Sequence, residues 1–187
     1  SAASDVYKRQ TLDTVRHIIQ RNAEKGLLPN YTHGIVNMKS QYNTIGILGI
    51  YEVLVHYGMT KTDKFGYVYY TDEGIEFAKQ ILKTITDVKN EFQSNVDYSI
   101  NIEQVPAERA AAVLMEKDKV FFPNEKYELP LYGNQWIPLG IKTTISEKVK
   151  LSAIMDKACS GGSIAHINLD GPMEDFDTAW DLLNRIA

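Results

Sequence analysis

Val105-Pro-Ala-Glu-Arg-Ala110 is the stretch of this chain best suited to hold an anion. Just before it, Tyr98, Ile100 and Ile102 alternate with Ser99, Asn101 and Glu103, the period of two expected of a half-buried strand. Pro106 suits the first position of a helix, where its fixed φ helps and its missing N–H costs nothing. Ala110 to Met115 are good helix formers that carry the element onward. Val105 has no side-chain oxygen to cap that helix. The backbone N–H groups of Ala107, Glu108 and Arg109 are then open at the positive end of the helix dipole, which suits a phosphate. The alternative is that Glu108 folds back onto these donors, or that water satisfies them.

Other residues carry chemistry more diffusely. Asn43, Thr44, Gly46 and Gly49 form a tight lead into a helix beginning at Ile50, where the glycines admit either a ligand or a neighbouring helix. Glu52 lies within the apolar run of Ile50, Val53 and Leu54, so its carboxylate is either exposed or paired. Asn134 and Gln135, between Tyr132 and Trp136, can read a ribose or a base edge, or hold an irregular loop in shape. His166 shares a strand face with Ile164 and Asn168, where a hydrogen-bonded core histidine is the expectation. Cys159 is the single cysteine; it lies in the turn Lys157-Ala-Cys-Ser-Gly-Gly162 and reads as a buried or half-buried spectator thiol. One cysteine gives no disulfide framework, and nothing supplies the roughly four closely spaced ligands of a structural zinc site.

The elements that must position these residues alternate helices with short strands. Thr11 to Glu24 carries Leu12, Val15, Ile18 and Ile19 on one face, with Gly26 as its stop. A short helix from Ile50 to Tyr57 ends at Gly58, and Tyr67 to Tyr70 is a brief extended piece. Thr71 caps the longest helix, with Asp72 and Glu73 in its first turn and a stripe of Ile75, Ala78, Ile81, Leu82, Ile85, Val88 and Phe92. After the strand and helix around Pro106 come an irregular stretch from Phe121 to Gly140 and a helix near Ser146 to Lys157. A strand from Ser163 to Leu169 and a helix from Glu174 complete the order. That succession suits part of an α/β barrel better than a complete domain.

Composition sets limits. At 187 residues the chain can bury one core, with roughly 70% of the unfolded surface removed on folding. A net charge of −4 offers no basic field for non-specific nucleic-acid binding, so an anionic ligand must be held by local donors. No run approaches the about eighteen apolar residues of a membrane span, and no signal-peptide core is seen, so no membrane partner and a cytoplasmic setting are expected.

Four segments, in order, resemble a known family. Tyr42-Asn-Thr-Ile-Gly-Ile-Leu-Gly-Ile-Tyr-Glu52, Asn101-Ile-Glu-Gln-Val-Pro-Ala-Glu108, Leu131-Tyr-Gly-Asn-Gln-Trp-Ile-Pro-Leu139 and Ser160-Gly-Gly-Ser-Ile-Ala-His-Ile-Asn-Leu169 are similar to stretches of anaerobic (class III) ribonucleotide reductases. The resemblance implies a partial α/β barrel of the glycyl-radical/ribonucleotide reductase type. It also implies oxygen-independent reduction of ribonucleoside triphosphates to deoxyribonucleotides by a glycyl radical and a thiyl. The implied partners are a radical S-adenosylmethionine activase with an iron–sulfur cluster, and formate or a thioredoxin-like protein as reductant. A homodimer and a structural zinc are implied as well. Related reductases of other classes cradle substrate phosphates at a comparable helix start. On this resemblance Pro106, Ala107, Glu108, Arg109 and Ala110 are assigned to the triphosphate, and Asn43, Thr44, Asn134 and Gln135 to the rest of the substrate. Arg109 stands where a small hydroxyl residue is more usual, and a guanidinium can pair with phosphate instead.

The chain also departs from the family. The radical cysteine, the four-cysteine zinc site and an Arg-x-x-Gly-Tyr glycyl loop are all missing, so no catalytic residue and no metal ligand are assigned, and the chain alone is expected to be inactive. Ser1 to Gln10 matches nothing in the family and reads as a non-native leader. Residues 11–187 read as an internal fragment of the reductase barrel. Another glycyl-radical enzyme, or a nucleotide-binding module without catalysis, are the rival readings.

Overall fold

A computed structural model of the chain describes residues 2–127, 129–168, 171–173 and 175–186, with backbone only for residues 2–9. Glu128, Leu169, Asp170 and Glu174 lie outside the described residues, so the expected ends of the Ser163 strand and of the helix from Glu174 fall there. In chain order the elements are α1 (Ala2–Glu24), α2 (Pro29–Thr32), β1 (Asn43–Gly46), α3 (Ile50–His56), β2 (Thr60–Thr62) and β3 (Val68–Tyr70). They continue with α4 (Asp72–Gln93), β4 (Ile100–Glu103), α5 (Glu108–Phe121), α6 (Ile145–Met155) and α7 (Phe176–Ile186).

The architecture is mixed α/β. β1 and β4 pair in parallel, with Thr44 opposite Asn101 and Gly46 opposite Glu103. One further parallel bridge joins Glu103 to Gly162. β2 and β3 form a separate antiparallel hairpin. Its loop is held by Asp63, whose Oδ1 accepts N–H bonds from Phe65 and Tyr67, with Gly66 at φ +81°. Sequence reading found the β3 half of this hairpin and missed β2, which is only three residues long and polar (Thr-Lys-Thr). Both sheets are two-stranded and open, so the described residues display no closed barrel.

α4 is the hub. Ile75, Ala78 and Leu82 are buried, and Ile81 and Ile85 pack beside them against Leu54, Ile102, Leu151 and Met155. The stripe read from the sequence is therefore the core-facing face. The longest helix, however, is α1, at 23 residues against 22 for α4. α1 also docks differently from the expected apolar face, since Val15 and Ile18 stay 48% and 41% exposed. Its hold is polar. Arg16 donates to the carbonyls of Met38 (2.8 Å) and Gln41 (3.1 Å) and lies 4.3 Å over the Tyr98 ring, while the Tyr98 hydroxyl bonds the Asp13 carboxylate. Burial, then the Asp13 hydrogen bond, pushes the Tyr98 phenol up to about 12.

Two strand expectations change. β4 is buried on both faces, because Asn101 is buried along with Ile100 and Ile102. The reason is Gly161, which comes so close that a Cβ there would stand 2.4 Å from Asn101 Nδ2 and 2.5 Å from Glu103 Cγ. The described part of Ser163 to Leu169 is not a strand, and side-chain amides, not a neighbouring strand, take the N–H groups of Ile164 and His166.

Candidate functional site

The strand-to-helix passage at Pro106 is open, but one residue later than the sequence suggests. The Ala107 N–H donates to the Val105 carbonyl at 2.9 Å, a tight turn around Pro106. That turn delays the helix. Ala107 becomes the N-cap (φ −113°, ψ 54°) and Glu108 the first helical residue, with no side chain capping the end. Pro106 is thus outside the helix, and Ala107 is not an available donor. The first intrahelical bond runs from Ala111 N–H to the Ala107 carbonyl, which leaves the N–H groups of Glu108, Arg109 and Ala110 as the first-turn donors. All three residues are exposed.

β1 approaches this helix start with its far end. Ile47 N–H bonds the Glu103 carbonyl at 2.9 Å, and a Cβ on Gly46 would stand 2.4 Å from Val105 Cγ2. Gly46, not Asn43 or Thr44, is therefore what lies against the passage. Asn43 opens β1 opposite Ile100, and Thr44 is exposed on the sheet face it shares with Asn101. Those two sit about 7–10 Å back along the strand.

The loop bearing Asn134 and Gln135 is pinned from several sides. Glu52 Oε1 accepts the Gly133 N–H at 2.8 Å, so this carboxylate is paired. Tyr132 donates to Asp118 Oδ2 (2.6 Å), Trp136 Nε1 donates to Asp156 Oδ1 (2.6 Å), and the Tyr70 hydroxyl bonds the Trp136 carbonyl. Burial and the Asp118 bond raise the Tyr132 phenol well above its ordinary value. Within this frame Gln135 is buried and its Oε1 accepts the His166 N–H at 3.2 Å, while Asn134 is half-buried. Gln135 thus shapes the loop and its neighbour. The His166 ring is exposed, contrary to the core histidine expected, because no strand face forms there.

Sequence reading missed Gln104. It occupies the face of β4 that carries Ile100 and Ile102, is 4% exposed, and accepts the Ile164 N–H through Oε1 at 3.1 Å. The signal was present: a polar residue falls where the period of two calls for an apolar one. Asn101 Nδ2 donates to Glu103 Oε1 at 3.0 Å on the opposite face. Cys159 is buried and free, and burial, then Asp156, pushes its thiol up to about 11, where it stays protonated at neutral pH. A groove of about 810 Å³ lies at the other end of α5, among Tyr57, Asp118, Phe122 and Tyr127, away from the helix start.

A model of the family described as anaerobic ribonucleoside-triphosphate reductase matches residues 5–187. This chain belongs to that family. The anaerobic ribonucleotide reductase from Thermotoga maritima, in complex with dATP and CTP, is similar at 36% identity and a TM-score of 0.85, over 95% of this chain and 29% of that one. The same enzyme with glycerol in the active site gives 36% identity and a TM-score of 0.87, again over 95% and 29%. With dATP bound in the specificity site the figures are 36%, 0.84, 95% and 29%. The chain therefore spans under a third of the length of these relatives. No curated protein sequence matches.

Membership of the reductase family raises the question of zinc. The residues present do not fit it, for the chain has one cysteine and, among the described residues, no group of three or more His, Cys, Asp or Glu is placed to hold a metal ion. No described helix is long and apolar enough to cross a membrane.

Proposed function

We propose that this reductase-family chain supplies part of the substrate-holding wall of an α/β barrel that reduces ribonucleoside triphosphates without oxygen. The observation that carries the reading is the uncapped start of α5 shortly after a parallel strand, with Glu108, Arg109 and Ala110 exposed. Ligands of open α/β sheets gather at the carboxyl ends of their strands, and helix N-termini favour phosphate. In this reading those three N–H groups hold the triphosphate and the Arg109 guanidinium pairs with it. Asn134 and Gln135 shape the neighbouring wall, while Asn43 and Thr44 lie farther from the phosphates.

In the whole enzyme a glycyl radical would be passed to a cysteine, whose thiyl would supply the hydrogen abstraction from the ribose. These 187 residues do not include the cysteine, the glycyl loop or the zinc ligands for it, and their work is to bind and orient. The proposed setting is a cytoplasmic homodimer, activated by a radical S-adenosylmethionine enzyme and reduced by formate or a thioredoxin-like protein.

The test uses the protein as its gene encodes it. With activase and reductant under anaerobic conditions, dCTP should form from CTP. Arg109→Ala should weaken CTP affinity about tenfold, the loss of one charge-assisted hydrogen bond. Unchanged CTP affinity in that variant would remove Arg109 from the phosphate assignment, and no dCTP at all would remove the activity.

A further inference from the structure

The segment after Gly162 is held in an unusual way. Up to that glycine it pairs with β4 through the backbone: Gly161 N–H donates to the Ile102 carbonyl at 2.9 Å, and Gln104 N–H donates to the Gly162 carbonyl at 3.2 Å. Beyond it the ladder stops and two glutamine side chains take over. Gln104 Oε1 accepts from Ile164 N–H (3.1 Å) and Gln135 Oε1 accepts from His166 N–H (3.2 Å), so alternate residues of one segment are clamped from one side. The amide orientation follows, since an N–H must meet the oxygen and the nitrogen is left at the other end.

Both nitrogens, Gln104 Nε2 and Gln135 Nε2, are buried without an acceptor, although the two residues are only 4% and 9% exposed. Buried donors with no partner are rare and mark unmet demand for an acceptor. Two glycines lie beside them. Gly162 has φ +120°, which side-chain-bearing residues rarely adopt, and Gly161 has no room for a Cβ against Asn101 and Glu103. Ile164, Ala165 and His166 face solvent.

We infer that residues 162–166 form a hinged strap, and that Gln104 and Gln135 are positioning residues which hold it with Oε1 and give Nε2 to an acceptor oxygen of the bound nucleotide. The inference rests on the nucleotide reading above. Opening at Gly161–Gly162 exposes the two donors. An acceptor that enters satisfies them, and the strap recloses with both ends of each amide engaged. Nucleotide binding and strap order are therefore coupled through these two side chains.

Glutamate keeps the strap's acceptor and removes the donor, so Gln104→Glu and Gln135→Glu separate the two jobs. The measurement is hydrogen exchange of the Ile164 and His166 amides in the protein as its gene encodes it. It is run at pH 8, above the ordinary carboxyl range, with CTP, cytidine or inorganic tripolyphosphate. Saturating CTP should slow both amides by about tenfold in the wild type and by less than about twofold in each variant. Protection by cytidine alone assigns the acceptor to the ribose or base, and protection by tripolyphosphate alone assigns it to phosphate. CTP that binds by calorimetry yet leaves both amides unchanged overturns the strap and spares the nucleotide reading. Equal protection in wild type and both variants overturns the role of the glutamines. No CTP binding at all overturns the nucleotide reading and the strap with it. The wild-type arm needs no variant, and Gln135→Glu, in the loop, serves if Gln104→Glu unfolds.

Discussion

Three helices of this molecule leave the sheet region or its loops in different ways. α4 and α6 begin with threonines in extended backbone, Thr71 at ψ 163° and Thr144 at ψ 152°. Each hydroxyl accepts the N–H three residues on, from Gly74 at 3.0 Å and from Glu147 at 3.1 Å. Their first turns then lay one side on the core, where Gly74, Ile75 and Glu147 are buried. α5 begins at Ala107 with ψ 54° and no oxygen, and its first turn faces water. A start that serves the core alone spends its donors on a cap, and one that leaves them open in solvent is free to use them on a ligand.

The sharpest way to test the structural side of this contrast is Gly74→Ala. A Cβ there would stand 2.5 Å from the Met59 carbonyl oxygen, which also accepts the Thr71 N–H at 3.0 Å, so the cap residue and its neighbour strand would both be displaced. Overpacking of this kind costs about 1–3 kcal/mol, and urea unfolding should read that loss. A variant within about 0.5 kcal/mol of wild type would mean that the α4 start is looser than its burial implies.

Next in size are the caps themselves. Thr71→Ala and Thr144→Ala should each lower stability by about 1 kcal/mol. They sit at the starts of different helices with no shared partner, so the double variant should lose the sum. If Thr71→Ala were neutral while Thr144→Ala cost the full amount, the two capped starts would not be equivalent and the contrast with α5 would rest on one helix only.

How much of this was legible depends on what each signal measures. Thr71, its following acids and the stripe from Ile75 to Phe92 specify α4 locally, and the helix forms as read. The missing cap at α5 was equally visible, because Val105, Pro106 and Ala107 all lack a side-chain oxygen. What was not legible is the turn at Pro106, set by a bond between the Ala107 N–H and the Val105 carbonyl, which moved the helix start to Glu108. The strand expected at Ser163 failed for a long-range reason as well. Its alternation is real, but the partners it meets are the side chains of Gln104 and Gln135, 60 and 31 residues away. Asn134 and Gln135 were singled out through resemblance, whereas Gln104 was a polar break in an apolar face that only the fold explains.

The smallest effect is the one that decides why α5 is open. If only an oxygen is missing, Ala107→Ser should recover a cap worth about 1 kcal/mol. The backbone argues otherwise. Thr71 and Thr144 aim their hydroxyls from ψ near the extended region, whereas Ala107 sits at ψ 54° with its own N–H tied to Val105. A serine held there points its hydroxyl away from the Ala110 N–H, and breaking the Val105 turn to correct the angle gives back what the cap gains. Ala107→Ser should therefore raise stability by only about 0.3 kcal/mol, at the edge of what paired urea titrations resolve. A gain of the full size would make the open start an accident of composition. A gain this small means that the turn at Pro106 keeps the donors of Glu108, Arg109 and Ala110 uncapped whatever side chain precedes them.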